Sequence, residues 1–474
     1  MNKLVKFLTI SFLIGSSFGG FAQEKQKLNV ILIHVDDLGA TDLGVFGSDF
    51  YETPNLDQLA KEGMRFTQSY AAASICSPSR AALMTGKYPA RVGITDWIRA
   101  KFQGFSTSGL PGEYEDFADK PLKTPKIQGF LPLEEQTIPE RLKPLGYTSL
   151  HVGKWHLGEE GMHPEDQGFD LNIGGNDLGQ PPSYFDPYLP QTPREFYQIK
   201  NLPPRKAGEF LTDRESDEII GFLKNNSEKP FFVHWAPYAV HTPIMGPEDL
   251  VEKYKSKTPG QQKNPVYAAL IENLDSNVGK LLDYLNQTGL REKTLVIFTS
   301  DNGGLIGNKT NPVTWNIGLR EYKGYPYEGG IRIPTLVSLP GQVVSNVSSS
   351  VPTISMDWIS TILDALGENP NQPGFEGSSL WPVLKGEKGE LDRDLFWHFP
   401  HYREPDVTPH SIVRSGDFKM IYYFEDGSTE LFDLKKDPME EKNLAKEMPE
   451  QVVQLKAKIE MWWKETGARL PMKK

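Results

Sequence analysis

Hydrophobic and polar positions alternate between two textures along the chain. Residues 28–35, LNVILIHV, form an almost unbroken apolar run, the pattern of a strand buried on both faces of a parallel sheet. Similar runs predict strands over 148–155, 230–236 and 294–300. Between the last two the period changes: Ala269, Leu270, Leu274, Val278, Leu281 and Leu282 recur at helical spacing and predict a helix over 265–285. Thr53-Pro54 opens a shorter helical stretch, NLDQLAKEG, closed by Gly63. Strands alternating with helices predict an α/β domain with a mostly parallel, mixed sheet flanked by helices.

Past about residue 384 the pattern shifts. Residues 411–424 and 429–434 read as strands around the turn Glu425-Asp426-Gly427-Ser428, and 450–466 as a helix. This predicts a smaller C-terminal α+β subdomain with an antiparallel sheet, joined through the Gly/Pro-rich NPNQPGFEG. At the other end, Lys3 and Lys6 precede an apolar run that closes at Gly20-Phe21-Ala22, the layout of a secretory signal peptide. The expected division is a signal peptide over 1–22, a catalytic domain over 23–384 and a C-terminal subdomain over 385–474. No later segment is long enough to span a bilayer, so the product is expected outside the cytoplasm, in the periplasm or the medium.

The formal net charge of −11 disfavours nucleic acid or an anionic membrane as the main partner. An anionic substrate would therefore need local positive charge. In open α/β sheets ligands collect at the carboxyl ends of the strands. Polar residues stand at four of those ends: Asp36-Asp37, Lys154 and His156 flanking Trp155, His241 after PFFVHWA, and Asp301-Asn302. Asp36, Asp37, Asp301 and Asn302 make an all-oxygen set, suited to a hard cation such as Ca²⁺ or Mg²⁺. Turn and capping duty would explain either pair alone.

The only cysteine, Cys76, precedes a helix start, with Pro78 expected at the first helical position and Gly86 as terminator. A helix N-terminus favours anions and should lower the thiol pKa, and Arg80 would face the same end one turn later. Lys154 and His156 would share a face in an extended chain. His34, His163 and His234 read as packing residues, and Asp57, Arg65 and Arg332 as structural.

CSPSRAALMTG, residues 76–86, resembles the signature of the type I sulfatases of the alkaline phosphatase superfamily. HVDDLG, GKWHLG, HTP, SDNGG and YKGYPYEGGIRIP stand in that family's order. The resemblance implies that a maturation enzyme oxidises Cys76 to formylglycine, whose hydrate attacks sulfur and later expels sulfate. It implies that Asp36, Asp37, Asp301, Asn302 and the modified Cys76 hold a divalent cation, calcium before magnesium. It assigns Lys154 and Lys323 to the sulfate oxygens, Arg80 to steadying the diol, His241 to the acid and His156 to the base. FDLNIGGNDLGQPPSYFDPY is similar to subfamilies acting on sulfated galactose or N-acetylgalactosamine, with Asp96, Trp97, Arg99, Asn176, Asp177 and Tyr184 as sugar-pocket candidates. The expected partner is a sulfated saccharide. The alternatives are a phosphomonoester or phosphonate hydrolase of the same superfamily, and a non-catalytic binder of sulfated glycans.

Overall fold

Apolar alternation along the central strand divides the molecule into two cores. In a computed structural model, which describes residues 27–103, 112–387, 389–403 and 405–474, Ile31, Ile33 and Val35 pack into one core and Val30 and Leu32 into the other. The expected signal peptide lies outside the described residues.

The main sheet has nine strands: β1 Asn29–Val35, β2 Met64–Tyr70, β3 Thr148–Gly153, β4 Leu171–Ile173, β5 Phe231–Ala236, β6 Thr294–Ser300, β7 Arg332–Ser338, β8 Val347–Ser349 and β9 Thr353–Ile354. Their order is β8-β2-β7-β6-β1-β5-β3-β4, with β9 also pairing β2. Only β7 runs antiparallel to its neighbours; the other pairings are parallel. The helices packed on this sheet include α1 Pro54–Lys61, α2 Cys76–Thr85, α3 Leu211–Asn226, α4 Pro265–Gln287 and α5 Asp357–Ala365. The first, third and fourth cover one face and α2 and α5 the other. Helix α4 starts where Asn264 accepts from the Val266 and Tyr267 N–H groups, an ordinary N-cap.

The C-terminal unit is an antiparallel sheet of β10 Asp394–Phe399, β11 His410–Ser415, β12 Phe418–Tyr423 and β13 Thr429–Asp433. Helix α6, Pro449–Thr466, lays Leu455 and Ile459 on Val413, Met420 and Leu431. The run 411–424, expected as one strand, is a hairpin that turns at Gly416-Asp417, where Gly416 adopts φ 57°. This sheet docks on the larger domain through Trp397, whose indole N–H donates to the Ala71 carbonyl at 2.7 Å. A buried ion cluster adds to the junction. Lys419, with no solvent exposure, sits 3.1 Å from Glu328 and 2.7 Å from Glu440.

Candidate active site

Strand register brings the two acidic pairs together. Val35 lies opposite Ser300, so Asp36-Asp37 and Asp301-Asn302 leave the sheet side by side. The Asp37 N–H donates to Asp301 Oδ1 at 3.2 Å, and the Asn302 amide donates to Asp37 Oδ1 at 2.8 Å. Asp37 adopts φ 61°, a left-handed kink that aspartate tolerates better than most residues. The loop after β5 is tied to the same edge, because the Val240 N–H donates to the Asp36 carbonyl at 2.8 Å.

Three cations face the three carboxylates. Lys154 donates to Asp36 Oδ2 at 2.8 Å, with neither side chain exposed. Arg80 donates through Nε to Asp301 Oδ2 at 2.9 Å and through Nη1 to the Lys154 carbonyl at 3.0 Å. Lys323 pairs with Asp37 Oδ1. Burial pushes all three carboxylates up, and the cations decide the outcome. Asp36 remains raised, to about 8, against the pull of Lys154. Asp37 ends below its ordinary range because of Lys323 and then His241, and Asp301 falls well below it because of Arg80 and then Lys154. Burial likewise works against Lys323, but Asp37 holds it above the usual lysine range.

Cys76 opens α2, so Pro78 occupies the third helical position and not the expected first; the first turn tolerates proline because its N–H groups lack partners. Cys76 Sγ donates to Asp36 Oδ1 at 3.7 Å. The expected lowering of its pKa does not occur. Burial pushes the thiol up to about 11, and Lys154 and Lys323 only partly offset it.

The strand expected to reach Trp155 ends at Gly153, which adopts φ 96°. Lys154 and His156 still reach the site, but through a loop in which His156 has φ 61°. His156 Nε2 lies 2.7 Å from the Ile98 carbonyl. A carbonyl only accepts, so Nε2 carries the proton, and the buried Nδ1 lone pair has no partner among the described residues. His241 Nδ1 lies 3.0 Å from the Thr242 carbonyl, which directs Nε2 to Asp37 Oδ2 at 3.5 Å. Burial lowers His156 well below its ordinary value and His241 to about 3, so both imidazoles are neutral here.

The donor set fits a hard cation. Asp37 Oδ2 and Asn302 Oδ1 are buried acceptors without a hydrogen-bond partner among the described residues. Ligand atoms of Asp36, Asp37, Cys76 and His241 lie within 4.8 Å of one another. Asp301 is already engaged on both oxygens, by Arg80 and by the Asp37 N–H. Orphaned oxygens beside carboxylates are what an oxygen-seeking divalent ion satisfies.

Above this floor opens a pocket of about 400 Å³ lined by Cys76, His156, His241 and Lys323. Lys154 and Arg80 do not line it; both are buried on the carboxylates of Asp36 and Asp301, so the expected direct contact of Lys154 with sulfate is not seen in the lining. Of the sugar-pocket candidates Trp97 lines the cavity. Arg99 is exposed, with its guanidinium 5.7 Å from the Trp97 ring centre. Asp96 accepts from the Trp97 N–H. Tyr184, Asn176 and Asp177 do not line it. The buried Tyr184 hydroxyl donates to the Tyr238 and His241 carbonyls, Asn176 uses both amide atoms on backbone, and Asp177 accepts from the Lys101 N–H. Residues that sequence reasoning missed are Phe102, Gln103, Gln180 and Arg403. Gln180 sits inside the segment singled out for substrate, whereas Arg403, beyond β10, carried no sequence signal.

Comparison with known proteins agrees with this geometry. The Sulfatase family model matches residues 28–368, and the model for the C-terminal part of N-sulphoglucosamine sulphohydrolase matches 321–465. A sulfatase of Formosa agariphila is 31% identical over 95% of this chain and 91% of its own. N-acetylgalactosamine-6-sulfatase of Mus musculus is 34% identical over 79% of this chain and 69% of its own, and human arylsulfatase A 32% over 88% and 83%. The crystal structure of Ps i-CgsB superposes with a TM-score of 0.76 at 28% identity, covering 92% of this chain and 93% of that one. These relatives mark the chain as a sulfuric ester hydrolase. The chain belongs to the sulfatase family, as a type I sulfatase of the alkaline phosphatase superfamily.

Proposed function

We propose that this sulfatase hydrolyses O-sulfate esters on galactose- or N-acetylgalactosamine-type saccharides, using a formylglycine made from Cys76 and a divalent cation, calcium in first place. The observation that carries the reading is the placement of Cys76 in the pocket lining, in contact with Asp36 and together with Lys323 and His241. The residue is buried there, at the end of helix α2 that opens on the pocket. Conversion to formylglycine supplies, as the hydrated aldehyde, one hydroxyl for attack on sulfur and a second for releasing sulfate.

Each neighbouring side chain then has a task. Asp36, Asp37, Asp301 and Asn302 hold the cation, which supplies Lewis-acid stabilisation of the sulfate oxygens. Lys323 faces the pocket and offers its ammonium to those oxygens. Lys154 and Arg80 hold Asp36 and Asp301 in place. The free Nδ1 of His156 accepts a proton from the hydroxyl at position 76. His241 is neutral without ligand and must gain a proton before it can donate at Nε2. The negative sulfate beside Asp37 favours that gain. The saccharide class rests on the resemblance of 169–188 and on relatives named N-acetylgalactosamine-6-sulfatase. The chain is further proposed to be exported. Among the described residues no helix is long and apolar enough to cross a membrane.

The test is sulfate release from a panel of defined sulfated saccharides by matured enzyme, with calcium and after chelation. Calcium-dependent release from galactose-type sugars supports the reading. Release of phosphate from phosphomonoesters in preference to sulfate would replace it with the phosphatase alternative.

A further inference from the structure

One wall of the pocket is built by a residue that none of the sulfatase motifs contains. Arg403 reaches the cavity from the C-terminal sheet, on the segment between β10 and β11. That segment is anchored. Arg403 and Val407 exchange backbone hydrogen bonds of 2.9 Å in both directions, and the Tyr402 hydroxyl donates to Glu425 Oε1 at 2.8 Å. His401 Nε2 lies 2.8 Å from the Thr95 hydroxyl, which ties the segment to the loop bearing Trp97.

The Arg403 side chain lies directly on Gly324. A Cβ at that position would sit 2.6 Å from Arg403 Nε and 3.2 Å from its Cζ. Gly324 adopts φ 90°, so neither the space nor the backbone there suits a side chain. The guanidinium is thus seated beside Lys323, the cation proposed to meet the reacting sulfate. Among the described residues its side chain makes no hydrogen bond or ion pair. Its charge acts on Asp96, whose carboxylate already accepts from the Trp97 N–H. Trp97 and Phe102 supply apolar rings to the same cavity, and Phe102 is itself stacked on Tyr197 at 4.2 Å.

These parts describe more than a sulfate cradle. A sugar ring whose sulfate occupies the floor would place its carbons against Trp97 and Phe102. Another of its substituents, or one on the neighbouring sugar, would then meet Arg403. A planar fork of donors lacking a protein acceptor matches an oxyanion. We propose that Arg403 is a specificity-determining residue that binds a second anionic group on the substrate, a sulfate ester or a uronate carboxylate, one sugar or less from the reacting sulfate. This deepens the saccharide-sulfatase reading and rests on it.

The test compares three matched galactose-type disaccharides, carrying the reactive sulfate alone, with a second sulfate, or with a uronate. Matured wild type and the Arg403→Ala and Arg403→Lys variants are assayed for kcat/KM. Wild type is expected to favour at least one doubly anionic sugar over the singly charged one. In Arg403→Ala that preference should fall ~10- to 100-fold, the usual weight of a charge-assisted hydrogen bond, with partial recovery in Arg403→Lys. Which of the two sugars loses its advantage identifies the anion as sulfate or carboxylate. Binding of the same sugars to Cys76→Ala protein, with and without Arg403→Ala, reads the preference without turnover. Failure of sulfatase chemistry is therefore separable from failure of this inference. A wild type indifferent to the second anion, or a preference that survives Arg403→Ala in a protein with unchanged melting, overturns the proposal.

Discussion

Replacing Lys419 with methionine should loosen the junction between the C-terminal sheet and the catalytic domain. Lys419 is fully buried and bridges Glu328 and Glu440. Glu328 keeps other partners when the lysine is lost, since Tyr70 donates to it at 2.8 Å and Arg332 lies 3.8 Å away. Glu440 has no other cationic partner among the described residues, so the uncompensated charge falls on it. Removing one side of a buried pair costs ~3–5 kcal/mol. For 474 residues unfolding cooperatively, an entropy near 2.1 cal/mol/K per residue converts this to a melting shift of about 3–5 °C. Burial already raises Glu440 to about 7 against the pull of Lys419, and without the lysine it rises further. A glutamate raised in the folded state takes up a proton on folding between its unfolded and folded pKa values, so stability there falls as pH rises. The deficit of Lys419→Met should therefore be small at pH 6 and largest above pH 8. Adding Glu440→Gln should remove both the pH dependence and part of the loss. Because Glu328 belongs to the same segment as Lys323, kcat/KM should fall as well. Urea and thermal unfolding at pH 6 and 8.5 check this. A deficit below about 1 kcal/mol, or one equal at both pH values, would refute the reasoning, whose magnitude comes from buried-pair energetics.

Glu215 is fully buried, and burial raises it from 4.5 to about 8. The folded protein therefore holds the extra proton between these values, and stability should fall by ~1.4 kcal/mol per pH unit across the window. Glu215→Gln should flatten that slope in unfolding curves. Asp301→Ala removes a proposed cation ligand and leaves Arg80 without its closest partner, so calorimetry should show divalent-ion binding weakened at least tenfold, a loss of ~1.4 kcal/mol or more. Export predicts that the native-host protein begins at or near Gln23, which N-terminal sequencing reads directly; an intact Met1 would contradict it.

The parallel core and the meeting of the two acidic pairs were legible for one reason: the central strands β1 and β6 are apolar runs that each stop at a polar pair. Asp36-Asp37 and Asp301-Asn302 announce strand ends, and parallel register does the rest. Strands β2 and β7 were not foreseen, since MRFTQSY and RIPTLVS are mixed in polarity. The hairpin at Gly416-Asp417 was hidden because apolar residues continue on both sides of the turn. The thiol pKa was misjudged because sequence shows a helix start but not the depth of burial. Arg403 was illegible for a different reason. Its role depends on docking between the two sheets and on the open backbone at Gly324, and neither leaves a local pattern. Tyr184 and Asn176 stood in the right segment but face the loop they hold.

Turnover by this sulfatase depends on what stands at position 76 in active protein. Conversion of Cys76 to formylglycine removes one sulfur and two hydrogens and adds one oxygen, a loss of about 18 mass units in the unhydrated form. Peptide mass spectrometry on preparations of graded sulfatase activity, with Cys76→Ala alongside, measures this directly. The predicted result is turnover proportional to the converted fraction and none in Cys76→Ala, which should still fold because the exchange removes only one small side chain. Active protein carrying only unmodified thiol, or near wild-type sulfate release from Cys76→Ala, would contradict it.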